Sequence, residues 1–332
     1  MFIMSARDRA PPKGNAMPQV STAVVFPGQG SQRHGMGQDF HDRFLPARRV
    51  YEEASEALGL DMPALCFKSD ERLNLTEYAQ PAILTTEVAM FRAVQAEFGL
   101  SASHYGGHSL GEYTALVAAG ALALHEAVQI VRARGCLMQA AVEVGRGSMV
   151  AVIGEGLDLE AVQIAIKDLQ VSIANDNSAH QFVLSGLADE MRVAQQRVGE
   201  IAGGAGVRFV ELEVSAPFHS PLMSTIERAF EEVLRETAKC LHAGAARVVT
   251  SNYTGGFHDG HAASVIEKLT RQISHTVRWR SNMKALAGRC SRVIEIGPGR
   301  PLRGFFRTIG VDVESITSVA SAKRVTGGGA DF

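Results

Sequence analysis

Paired cysteines are missing from this chain. Cys66, Cys136, Cys240 and Cys290 are widely scattered, with no CxxC among them. That argues against a disulfide framework or a zinc site and predicts buried, reduced thiols in a cytosolic setting. Long apolar runs are missing too. Nothing approaches the roughly 18 residues of a membrane-spanning helix, and no continuous apolar signal core lies near the N-terminus. Nor does charge of one sign dominate. A net charge of −2 with 20% charged residues argues against an overall electrostatic attraction to nucleic acid or membrane, leaving local patches only. There is no internal repeat. What remains is an ordinary globular chain of 332 residues, 46% apolar, expected in the cytoplasm. It is long enough for one large domain carrying a smaller inserted one.

Residues 1–20 carry Arg7, Arg9, Pro11, Pro12, Lys13 and Gly14 without periodicity and read as a tail, with Met17 a candidate start. A strand is predicted over Thr22–Phe26, running into the turn Pro27-Gly28-Gln29-Gly30-Ser31-Gln32. Pro81 is expected to open a helix reaching Phe98. From about 147 to 214 the pattern is strand, helix, strand, strand, helix, strand: 148–153, 157–169, 171–174, 181–184, 188–201 and 207–214. That βαββαβ order predicts an inserted ferredoxin-like subdomain over 146–214. Helices near 221–238 and 262–274 and strands at 246–251 and 292–296 resume the α/β layer. The main domain thus spans 21–145 and 215–320, and 321–332, with its Gly327-Gly328-Gly329, reads as a second tail.

The chemistry centres on Gly107-His108-Ser109-Leu110-Gly111, a GxSxG pentapeptide between a short strand expected at 102–106 and a helix at 110–119. This is the sequence form of a nucleophile elbow. Glycines at both ends permit a sharp turn with the serine hydroxyl at its tip, which points to acyl transfer through an acyl-serine. A serine needs a base. His219, in Ser215-Ala216-Pro217-Phe218-His219-Ser220-Pro221, sits where two prolines constrain a loop between a strand and a helix. The alternative for it is a surface histidine at a helix end. His108 is expected to point away from Ser109 and support the turn. His258 and His261 have a loose metal-ligand look, but a polar turn fits them better because no third ligand is near. Arg134 falls on the apolar stripe of a helix over 125–141, with Ile130, Val131, Leu137 and Met138. An inward guanidinium needs a carboxylate, either an internal Asp or Glu or that of a substrate.

Five segments in order give the chain a family resemblance. Gly107-His108-Ser109-Leu110-Gly111-Glu112-Tyr113 resembles the active-site motif of malonyl-CoA:acyl-carrier-protein transacylases and polyketide-synthase acyltransferases. Phe26-Pro27-Gly28-Gln29-Gly30-Ser31-Gln32, Arg134-Gly135, Pro217-Phe218-His219-Ser220 and Glu295-Ile296-Gly297-Pro298-Gly299 resemble the family's other four segments. The resemblance implies an α/β-hydrolase-like large domain around a parallel sheet, with the ferredoxin-like insertion. It implies Ser109 as nucleophile, His219 as base, and a backbone carbonyl at Gln272 orienting the histidine in place of an aspartate. It also implies an oxyanion hole from the N–H groups of Gln29 and Leu110, and Arg134 as holder of the malonyl carboxylate. Asn177 matches a family position near the pocket, or is a turn asparagine between two strands. The segment before Ser109 is more polar than the family's elbow strand.

The implied reaction moves malonyl from coenzyme A to the phosphopantetheine thiol of an acyl carrier protein, with no resident cofactor and no metal. Phe218 and Leu110 resemble malonyl-selective members, and a bulky Phe218 closes the space an α-methyl group needs. Acyl carriers are acidic, and between Lys268 and Arg307 there are ten Lys or Arg against one acid, Glu295. Arg271, Arg278, Arg280, Lys284, Arg300 and Arg303 are a candidate docking face, or a set of solvated helix faces. The competing function is an acyl hydrolase of the same fold, against which the inward Arg134 argues. A monomer is the default expectation.

Overall fold

The first strand, β1 (Thr22–Phe26), reads Thr-Ala-Val-Val-Phe and is buried throughout, as expected of a parallel strand covered on both faces. The computed structural model describes residues 21–328 apart from 144, 204–205 and 215. The expected tail at 1–20 and the last glycine of the C-terminal run lie outside the described residues. After β1 the chain forms β2 (His104–Gly107), then β3 (Gly147–Ile153), β4 (Val171–Ser178), β5 (Gln181–Leu187) and β6 (Arg208–Glu211). It returns through a short pair, β7 (Thr250–Ser251) and β8 (Gly256–Phe257), to β9 (Arg292–Ile296) and β10 (Val313–Ile316).

One sheet has the order β10-β9-β1-β2 and is parallel throughout. Its register locates the site. Phe26 pairs with Gly107, so β1 and β2 end level, and the turns Pro27-Gly28-Gln29 and His108-Ser109 emerge side by side. The carboxyl edge of a parallel sheet is where such folds bind ligands. The second sheet is antiparallel in the order β4-β5-β3-β6, the ferredoxin-like arrangement. Its period-2 alternation serves two cores. Val150, Val152, Phe182 and Leu184 pack in its own small core, whereas Met149, Ala151 and Val183 face the large core and the cavity beside Ser109. Val277 ties the sheets together: its N–H donates to Ala174 O at 2.8 Å and its carbonyl accepts from Asp176 N at 3.0 Å. The architecture is the α/β-hydrolase-like layer with a ferredoxin-like insertion that the sequence predicts.

Several element boundaries are corrected. The helix expected to open at Pro81 starts at Thr76 and carries Pro81 inside it. Packing overrides the proline. Thr76 is buried, and Gly135 lies so close that an added Cβ would stand 2.7 Å from Glu77 Cα. The elbow strand begins at His104 rather than 102. The helix expected over 221–238 opens as a 3₁₀ turn, Pro221–Ile226, before the α-helix Glu227–Thr237. The strand expected at 246–251 is present only as β7 at its end, and its first half belongs to a 3₁₀ turn, Ala243–Val248, in a stretch where alanine and glycine give little β preference. The helix expected over 157–169 is only Leu159–Ala165, capped by Asp158, and the strand at 207–214 shortens to β6. Residues 321–326 belong to a helix, Val319–Thr326, held by a Ser318/Ser321 capping box, so the expected C-terminal tail does not begin at 321. Cys66 and Cys290 are buried as expected, but Cys136 and Cys240 are exposed. Among the described residues no helix is long and apolar enough to cross a membrane.

Candidate active site

The turn after β2 is held by contacts that only glycine permits. A Cβ at Gly107 would lie 1.9 Å from Gly111 C, and one at Gly111 2.3 Å from Phe26 O. The elbow therefore packs backbone to backbone against the end of β1. At its tip Ser109 takes φ 50°, a left-handed conformation uncommon for serine. Its Oγ lies 2.7 Å from His219 Nε2. His219 Nδ1 lies 2.7 Å from the carbonyl of Gln272. A carbonyl can only accept, so Nδ1 carries the proton and Nε2 is free to take one from Ser109. Burial, reinforced by the nearby Arg134 guanidinium, pushes the His219 pKa down to about 3. The imidazole is neutral in the resting site.

Arg134 is 1% exposed. Its Nη1 donates to Gln80 Oε1 at 2.9 Å, and its Nη2 to Gln272 Oε1 at 3.0 Å and Ser109 Oγ at 3.2 Å. Its Nε has no partner among the described residues, and the group stands 5.5 Å from the centre of the Tyr113 ring. Among the described residues no carboxylate makes an ion pair with it. The internal-acid alternative left open by the sequence is thus not what the structure shows. A buried cation with only amide and hydroxyl partners is poised for an anion.

Ser109, His219, Arg134 and Gln80 line a cavity of about 300 Å³ with Gln29, His108, Leu110, Asn177 and Phe218. The backbone N–H groups of Gln29 and Leu110 donate to no acceptor among the described residues. Asn177 is not a turn residue: it lies in β4, next to a register shift, and is buried. Its Oδ1 is 2.7 Å from His108 Nε2 and its Nδ2 donates to Gln181 Oε1 at 3.0 Å. His108, expected to turn away and only support the turn, instead lines the cavity and joins the elbow to the inserted sheet. The bulge in β4 brings Asn177 within its reach. Burial pushes its pKa down.

The acyl transferase domain model matches residues 23–324. The chain belongs to the acyl transferase domain family. It is 38% identical over 301 residues to the malonyl CoA-acyl carrier protein transacylase of Bacillus subtilis, covering 89% of this chain and 92% of that protein. The crystal structure of the malonyl-CoA:acyl carrier protein transacylase of Xanthomonas oryzae superposes with a TM-score of 0.84 at 38% identity, over 95% of this chain and all of that one. A malonyl-transacylase solved in complex with its type II PKS acyl-carrier protein matches with a TM-score of 0.81 at 34% identity, over 92% of this chain and 99% of that one.

Behind the elbow of this acyl transferase lies a polar cluster that sequence reasoning passed over. Glu112 is fully buried. Its Oε2 accepts from Asn252 N at 2.9 Å, Asn252 Nδ2 at 2.6 Å and Gln272 Nε2 at 2.7 Å, while Oε1 lies 2.9 Å from His258 Nε2. Asn252 Oδ1 in turn accepts from Ser109 N at 3.3 Å. His258 is therefore buried and not part of a polar turn, whereas His261 is exposed. Among the described residues no group of three or more His, Cys, Asp or Glu is arranged to hold a metal. Asn252 and Gln80 follow no local pattern that separates them from other loop and helix amides. Glu112 had a signal: an acid two residues beyond Leu110 on a helix otherwise uncharged and largely buried.

The basic segment is partly neutralised. Lys268 pairs with Asp259, Arg271 with Glu227 and Arg292 with Glu314. Arg278, Arg280 and Lys284 surround Asp176, whose carboxyl is raised by burial against the opposing pull of these cations. The helices Trp279–Ala287 and Pro301–Arg307 both pack on β4, which places Arg280, Lys284, Arg300 and Arg303 around one edge of the inserted sheet.

Proposed function

We propose that this acyl transferase moves a malonyl group from coenzyme A to the phosphopantetheine thiol of an acyl carrier protein through a malonyl-serine. The observation that carries the reading is the buried Arg134, in contact with Ser109 Oγ and, among the described residues, paired with no carboxylate. A neutral acyl chain gains nothing from that guanidinium; a diacid does.

Ser109 Oγ attacks the thioester carbon and its proton passes to His219 Nε2. The carbonyl oxygen becomes an oxyanion, met by the N–H groups of Gln29 and Leu110 at the two level strand ends. Collapse breaks the C–S bond. The coenzyme A sulfur takes the proton from His219, leaving malonyl on Ser109. The carrier's thiol then gives its proton to His219, attacks the ester, and Ser109 recovers the proton as the malonyl thioester departs. The Gln272 carbonyl holds the imidazole tautomer throughout, a sufficient support for an activated thioester. Nucleophile, base and oxyanion donors all belong to the chain, so the reading assigns no resident cofactor or metal. Phe218 in the cavity wall disfavours an α-branched acyl group by about 1–3 kcal/mol. Asn177 and His108 form part of the wall of the same cavity.

The acidic carrier docks on the cations around the β4 edge, and the protein acts as a cytoplasmic monomer. Malonyl-loaded enzyme offered holo-carrier is expected to transfer the group much faster than it loses it to water. Rapid hydrolysis with slow transfer would contradict the reading.

A further inference from the structure

We infer that Glu112 is a positioning residue: as a pure acceptor it fixes which way two side-chain amides point, one aiming Arg134 and the other bracing Ser109. The inference rests on the malonyl-transfer reading above. A side-chain amide has a donor end and an acceptor end, and the two are nearly equal in shape. Which end faces where is set by the partners. Gln272 lies between Glu112 and Arg134, with Nε2 2.7 Å from Glu112 Oε2 and Oε1 3.0 Å from Arg134 Nη2. A guanidinium only donates. Gln272 can present an oxygen to it only if other groups take its N–H bonds: Glu112 is the nearer, charged acceptor at 2.7 Å, and the Ser109 carbonyl the second at 3.1 Å. Asn252 obeys the same logic. Its Nδ2 donates to Glu112 Oε2 at 2.6 Å and to Gly107 O at 2.8 Å, which turns Oδ1 toward the Ser109 N–H.

The arrangement also solves an electrostatic problem. A carboxylate placed directly on Arg134 would orient it and at the same time occupy the sites a substrate carboxylate needs. Glu112, fully buried and one amide away, orients the guanidinium without occupying it. Glu112 itself is held by His258, whose Nε2 lies 2.9 Å from Oε1 and whose buried Nδ1 has no partner among the described residues. Because Gln272 also supplies the carbonyl for His219 Nδ1, one residue transmits this alignment to both the carboxylate holder and the base.

The test is the ratio of malonyl to acetyl loading, measured as kcat/KM from the two coenzyme A thioesters in single turnovers. Acetyl lacks the carboxylate, so damage to the elbow alone lowers both substrates alike. In Glu112→Met the ratio is expected to fall about tenfold, the scale of one misdirected hydrogen bond to a charged group. Glu112→Gln keeps an oxygen at the Oε2 position while its amide faces His258, whose other tautomer accepts it, and is expected to retain most of the ratio. Gln272→Met keeps the backbone carbonyl for His219 and removes the acceptor for Arg134. It should show the same fall, and it carries the test if Glu112→Met does not fold. Equal losses on both substrates in the folded variants would overturn the inference. A wild type that loads acetyl as fast as malonyl would count against the malonyl reading itself.

Discussion

Arg134 Nη2 lies 3.2 Å from Ser109 Oγ. The guanidinium that would hold the far end of a diacid therefore touches the atom that would attack its near end, as a short three-carbon acyl group requires. Replacing Arg134 by alanine is expected to lower malonyl loading by about 10²-fold, within the range for a charge-assisted contact in a dry site, and acetyl loading far less. Lysine should not restore it, because a point charge cannot keep the Gln80 and Gln272 bonds at once. Rapid-quench loading with both thioesters checks this, and equal losses would remove the carboxylate-holding role.

The histidine predicts a pH dependence of both activity and stability. With its pKa near 3 in the fold, the acid limb of kcat/KM for loading should lie well below the ordinary histidine range. The folded value is below the unfolded one of about 6.5. The unfolded chain thus binds the extra proton between these values, and stability is lost as pH falls from about 6.5 toward 3. His219→Gln lacks this titration. Urea unfolding of the two proteins should show wild-type stability declining relative to the variant across that window, and a constant gap would contradict it.

Strain at the elbow is open to a direct comparison. Ser109→Ala and Ser109→Gly both delete the hydroxyl, and only glycine relieves φ 50°. The glycine variant should be more stable than the alanine variant by about 1 kcal/mol, a difference urea unfolding resolves. An alanine variant of equal or greater stability would show that the turn stores no strain.

Charge reversal of Arg280 and Lys284 together is expected to raise KM for the acyl carrier about tenfold, with coenzyme A loading of Ser109 little changed. The effect should shrink as salt is added. A parallel loss in both half-reactions would place these cations elsewhere in the mechanism.

Legibility followed the kind of interaction involved. The parallel layer and the inserted βαββαβ sheet could be read because short apolar runs such as Met149-Val150-Ala151-Val152 in β3 alternate with helical periods, although which of these residues faces which core could not. Ser109, His219 and Arg134 could be read because each breaks its local pattern: a serine between glycines, a histidine between prolines, a cation in an apolar stripe. Boundaries were lost where tertiary contact overrides local preference. Pro81 stays inside its helix because the turn before it is pinned against Gly135. The backing cluster of Glu112, Asn252 and Gln272 unites residues up to 160 positions apart, and single amides in loops carry no mark of what they face.

The central claim is that Ser109 carries malonyl. Enzyme mixed with malonyl-CoA, quenched in acid, digested and weighed by mass spectrometry should show a malonyl adduct on the peptide containing Ser109, absent from Ser109→Ala and discharged by holo-carrier. An adduct on another peptide, or one that persists in Ser109→Ala, would contradict the account.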